Sequence, residues 1–151
     1  MAGKSVWYTD CDNIEKELHT TWNTINSIKW QNLSKEEFVK LGAKHFSSLW
    51  QIHPFREGNT RTIALLLAFF TEHYGYYFDQ ELLAQTSGYF RDSLVMASLD
   101  KFSEYEYLER ILNDAISTEP VDTSEENLYT EKSKSRKNVK FILPLPLEKT
   151  V

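Results

Sequence analysis

Apolar residues recur at helical spacing through most of the first 116 positions. Ile14, Leu18, Trp22 and Ile25 mark one face of a helix of about four turns, which Asp12 and Glu15 open as a capping-box pair. Ser34 and Glu37 repeat that signal. Phe38, Leu41, His45, Phe46 and Leu49 then form the inward face of a second helix that ends near His53. From residue 60 to about residue 74 the chain is apolar almost all round, which predicts a buried central helix closed by Gly75. Further helices are expected over residues 80–85 after an Asp79 cap, over 90–102, and over 104–116, where Ser103 and Glu106 form another capping pair. Residues 5–9, Ser-Val-Trp-Tyr-Thr, are rich in β-branched and aromatic side chains and read as a short extended strand. The expected fold class is all-α.

Beyond Ile116 the periodicity fails. Residues 117–138 are polar and charged, with Glu125-Glu126 followed by Lys132, Lys134, Arg136 and Lys137, and read as a flexible tail. The end, Phe141-Ile142-Leu143-Pro144-Leu145-Pro146-Leu147, is apolar but too proline-rich for a helix. The expected organisation is one domain over residues 1–116 and a tail over 117–151.

Composition narrows the function classes. The 151 residues, 41% apolar and 14% aromatic, support one globular domain with a real core. A net charge of -5 argues against a nucleic-acid surface and leaves proteins or small molecules as partners. Cys11 is the only cysteine, so no intrachain disulfide can form and the cytoplasm is the expected compartment. The longest apolar run, Ile63 to Phe70, is eight residues, against the roughly 20 that span a bilayer. No membrane partner and no zinc site is expected, since no His/Cys cluster has ligand spacing. His45 and His73 read as packing or surface residues.

The chemistry concentrates in His53-Pro54-Phe55-Arg56-Glu57-Gly58-Asn59-Thr60-Arg61, immediately before the strongly apolar helix. The first turn of a helix has unsatisfied amides and partial positive charge, and a Gly-Asn pair there suits a phosphate. His53 is a candidate general base, because histidine accepts a proton near neutral pH. A histidine at a helix C-terminus is also ordinary, but Glu57 and Asn59 beside it favour the base. Glu57 offers a hard oxygen to Mg²⁺, or is simply an acid favoured by the helix dipole. Gly58 permits close backbone approach to phosphate, and Asn59 can donate an amide hydrogen bond to the α-phosphate. Arg61 suits a bidentate phosphate contact, or is a solvated charge. Phe55 carries no chemistry and is expected to anchor the loop in the core.

This run resembles the signature of the Fic family, His-x-Phe-x-Asp/Glu-Gly-Asn-Gly-Arg-x-x-Arg, through His53, Phe55, Glu57, Gly58, Asn59 and Arg61. The resemblance, covering roughly residues 5–116, implies a Fic-fold helical bundle whose motif loop leads into the central helix. It implies a protein adenylyltransferase that uses Mg²⁺ and ATP to place AMP on a Tyr, Ser or Thr hydroxyl of a protein. In that scheme His53 is the base and Glu57 binds the metal. Gly58 and Asn59 form the anion hole, with Thr60 beside them, and Arg61 holds the outer phosphates. Residues 5–9 would be the end of a β flap that grips the target by strand addition, so that the chain begins inside the flap.

Two slots depart from the signature. Thr60 replaces a glycine, and Ala64 replaces a second arginine, removing a charged hydrogen bond worth roughly 1.5–3 kcal/mol. The inhibitory Ser/Thr-x-x-x-Glu-Gly/Asn pattern that silences many relatives is also missing. Glu126-Asn127 comes nearest, but Asp122 holds the Ser/Thr place. Restraint is therefore expected from a separate antitoxin-like protein, as in bacterial toxin–antitoxin pairs. The competing readings are a Doc-like kinase that transfers the γ-phosphate, and a binding module that kept the scaffold and lost catalysis.

Overall fold

The computed structural model describes residues 6–119. The expectations for residue 5 and for residues 120–151 lie outside the described residues. The helices are α1 (Ile14–Ser27), α2 (Lys35–Ile52), α3 (Asn59–His73), α4 (Gln80–Gln85), α5 (Ser87–Ala97) and α6 (Glu106–Ala115). Two short strands, β1 (Tyr77–Phe78) and β2 (Ile116–Ser117), pair antiparallel. The fold is an all-α helical bundle. None of the described helices is long and apolar enough to cross a membrane.

The Ser34 capping box forms as the sequence predicts. The Glu37 amide donates to Ser34 Oγ at 3.3 Å, and the Ser34 amide donates to Glu37 Oε2 at 2.9 Å. The Ser34 backbone bond, reinforced by its hydroxyl, holds the Glu37 carboxyl below its usual value. From that start α2 runs 18 residues and packs against α1, α3, α5 and α6. Trp30, Phe38, Phe46 and Phe70 build an aromatic core beside it, with Trp30 and Phe70 at 5.0 Å edge to face. The Asp79 cap of α4 is likewise present, accepting from the Leu82 amide at 2.9 Å.

Elsewhere the boundaries differ for local reasons. A 3₁₀ turn over Cys11–Asn13 precedes α1, its 2.9 Å bond from the Asn13 amide to the Asp10 carbonyl replacing the expected Asp12/Glu15 box. α5 starts at Ser87 and stops at Ala97, and Asp100, at φ 52°, breaks the α-helix before 102, leaving a separate 3₁₀ turn over Asp100–Phe102. α6 opens at Glu106, without the Ser103/Glu106 box: the Ser103 amide that Glu106 would cap is held by the Asp100 carbonyl at 3.0 Å, and the Glu104 amide by the Met96 carbonyl at 2.9 Å. Ile116 and Ser117 belong to β2. α3 is buried along one face through Ile63, Leu67, Ala68 and Phe70, while Leu65 and Phe69 lie on its outer face. Ala64 is half-buried against the core. Residues 6–9 lie outside any helix and have no strand partner among the described residues. They are fastened to α2 instead, with Gln51 Nε2 donating to the Trp7 carbonyl at 3.1 Å.

Candidate active site

Pro54 disfavours the α conformation for the residue before it, so α2 cannot continue through His53. His53 takes φ 55° and ψ 54°, its amide bonded to the Trp50 carbonyl at 3.1 Å. This left-handed cap turns the histidine off the helix end. The chain then reverses through residues 54–58, and Gly58, at φ 84°, starts α3 in a conformation that suits glycine. The Arg61 guanidinium folds back over it, so close that a Cβ on Gly58 would lie 3.4 Å from Arg61 Nη2.

Asn59 holds the loop in shape. It is 5% exposed, its Oδ1 accepts from the Phe55 amide at 3.0 Å, and its Nδ2 donates to the Phe55 carbonyl at 2.6 Å. This corrects the expected role of Phe55, whose ring is 51% exposed and does not anchor the loop in the core. The anchor is the Asn59 amide on the Phe55 backbone, because a paired buried amide holds a turn that the half-exposed ring cannot. Asn59 keeps one amide hydrogen beyond the bond to Phe55.

His53, Glu57, Gly58, Asn59, Thr60 and Arg61 line one cavity of about 390 Å³. Phe55 stands outside that lining. Thr60 is tied into the wall, its Oγ1 accepting from Trp50 Nε1 at 3.0 Å. The hydroxyl at the slot where the sequence signature has glycine thus satisfies an indole N–H that would otherwise need another partner.

Three further residues line the cavity: Tyr8, Trp50 and Arg91. The Tyr8 ring lies over the His53 imidazole at 4.0 Å between centroids, tilted 36°, and the Trp50 edge meets it at 5.6 Å. His53 Nδ1 is buried without a hydrogen-bond partner among the described residues, so these rings rather than a carboxylate set the orientation of the imidazole. Trp50 sits three residues before His53, where its place on α2 was legible. Arg91 comes from α5, 30 residues beyond Arg61, and no local pattern marks it. Among the described residues no group of three or more His, Cys, Asp or Glu could hold a metal by itself.

Known proteins resemble this chain in sequence and in fold. The model of the Fic/DOC family matches residues 5–71. A protein adenylyltransferase of Bartonella henselae is 27% identical over 126 residues, covering 83% of this chain and 22% of its own length. The crystal structure of the BepC protein of Bartonella tribocorum, a VirB-translocated effector with bound AMPPNP, shares the fold at a TM-score of 0.61 and 21% identity. The match covers 79% of this chain and 55% of that one. The chain therefore spans about a fifth of its curated relative and about half of the solved effector chain. In its motif, over residues 5–71, and in the bundle that positions it, this chain is similar to the Fic/DOC family.

Proposed function

We propose that this site transfers the AMP part of Mg²⁺-ATP to a Tyr, Ser or Thr hydroxyl of a target protein. The observation that carries the reading is the convergence of His53, Glu57, Gly58 and Arg61 on one cavity at the first turn of α3. The name of the B. henselae relative and the ATP analogue in the BepC structure support nucleotide chemistry there.

The target hydroxyl gives its proton to His53 as its oxygen bonds to the α-phosphorus, and the bond from that phosphorus to the bridging oxygen breaks, releasing pyrophosphate. With Nδ1 buried, Nε2 is the nitrogen left to take the proton. Charge developing on the α-phosphate meets the first-turn amides of α3, while the Arg61 guanidinium holds the outer phosphates. Gly58 keeps the approach open, and Asn59 holds those amides in place through Phe55. A lone exposed carboxylate on the cavity fits Mg²⁺, which usually takes one or two protein carboxylates and completes its shell with phosphate and water. Glu57 would hold the ion, which supplies neutralisation of phosphate charge.

The test is incubation of the purified chain, and of His53→Ala, with Mg²⁺ and α-labelled ATP in bacterial lysate. A labelled protein band that requires His53 is expected. Label arriving only from γ-labelled ATP would replace AMP transfer by phosphoryl transfer, and absence of any His53-dependent label would refute the enzyme reading.

A further inference from the structure

We infer that Arg91 is a second phosphate-binding arginine of this site, contacting the phosphate chain of the nucleoside triphosphate alongside Arg61. The inference rests on the nucleotidyl-transfer reading and adds a residue that lies far from the motif. Four groups of ionic chemistry line the cavity: His53, Glu57, Arg61 and Arg91. Two are guanidiniums from different helices, and two like charges on one cavity raise its affinity for an anion.

The backbone place of Arg91 is fixed. On either side of it along α5, Phe90 and Leu94 are 2% and 0% exposed, and α5 packs against both α2 and α6. Its side chain has no competing acid. The residues three and four positions away on the helix are Ser87, Gly88, Leu94 and Val95, none of them charged. The ion pairs among the described residues are Lys40 with Glu36 and Arg110 with Glu106, so Glu57 is paired with neither cavity arginine. An arginine on a surface commonly finds an i,i+4 carboxylate, whereas this one is held over the cavity with its planar donors unspent.

The substrate supplies the missing partner. A triphosphate, even with a divalent cation on it, keeps more than one negative charge, and Arg61 alone leaves part of that unmatched. A forked guanidinium answers a phosphate with two parallel hydrogen bonds. The cavity, at about 390 Å³, is of a size that holds a small ligand.

The test is calorimetric titration of the full chain with Mg²⁺-ATP, together with displacement of ATP by inorganic tripolyphosphate. It is applied to the wild type, Arg91→Ala, Arg91→Gln and Arg91→Lys, with Arg110→Ala as a charge control away from the cavity. Arg91→Ala and Arg91→Gln should weaken ATP and tripolyphosphate alike by about tenfold or more. Arg91→Lys should recover part of the loss, and Arg110→Ala should match the wild type. Equal thermal midpoints for the exposed Arg91 variants separate binding from folding. ATP affinity within twofold of wild type in both uncharged variants would overturn the inference while leaving nucleotide binding intact. Loss of ATP without loss of tripolyphosphate would also overturn it, by moving Arg91 to the base or ribose. A wild type that binds neither probe would sink the nucleotide reading itself, and this inference with it.

Discussion

Replacing Asn59 by alanine separates two explanations of how the motif loop keeps its shape. The substitution removes two neutral hydrogen bonds, at 3.0 and 2.6 Å, between the Asn59 amide and the Phe55 backbone. Each contributes about 1 kcal/mol net, and the cost would reach about 3 kcal/mol per bond only if both backbone groups were left buried without water. Phe55 is 51% exposed, so water can take over its amide and carbonyl, and the loss should be about 2 kcal/mol. With an unfolding entropy of about 2 cal/mol/K per residue over roughly 115 residues, that lowers the thermal midpoint by about 8 °C. Phe55→Ala removes a ring that is only half covered and leaves both backbone bonds in place, so it should cost about 1 kcal/mol or less. Scanning calorimetry on both variants, with the labelling rate measured well below either midpoint, provides the comparison. Asn59→Ala should also slow transfer, since it loosens the amides that face the phosphate. If Phe55→Ala costs more than Asn59→Ala, the ring is the anchor and the hydrogen-bonded clamp is refuted.

Two further outcomes follow from the rings around the histidines. Burial against Trp30, with the neighbouring Lys44 charge, holds the pKa of His45 below its ordinary value. The unfolded chain therefore binds the extra proton first, so this residue's contribution is full above about pH 6.5 and is lost as the pH falls below it. Urea midpoints at pH 8 and pH 5 should show that fall in the wild type and a flatter profile in His45→Gln; identical slopes would remove His45 from the account. At the site, Tyr8→Phe should transfer AMP within about twofold of wild type, whereas Tyr8→Ala should be slower by about three- to tenfold, the worth of one aromatic contact. Equal losses in the two would assign the effect to the hydroxyl and not to the stack on His53.

Much of this molecule follows from the sequence alone, wherever the signal is local. Helix periodicity and the Ser34 and Asp79 caps depend on residues within four positions of one another, and the structure has those elements where the pattern puts them. The cavity's motif residues were legible for the same reason, since nine consecutive positions carry the histidine, the carboxylate, the glycine and the arginine. Other local signals lost to tertiary competition. The Ser103/Glu106 box does not form: the Ser103 amide is taken by the Asp100 carbonyl, in a turn that the Glu104 amide ties to Met96 of α5. An aromatic residue in a loop reads as core, yet whether Phe55 is covered depends on what packs over it, and Asn59 rather than the ring closes the turn. The Tyr8 stack, the Trp50 bond to Thr60 and the arrival of Arg91 were decided only by folding. Each joins residues separated by from 10 to 45 positions in the chain, and no spacing rule relates them. Local hydrogen-bonding and periodicity write the elements and the motif into the sequence, while the walls of the cavity come from the way α2, α3 and α5 pack.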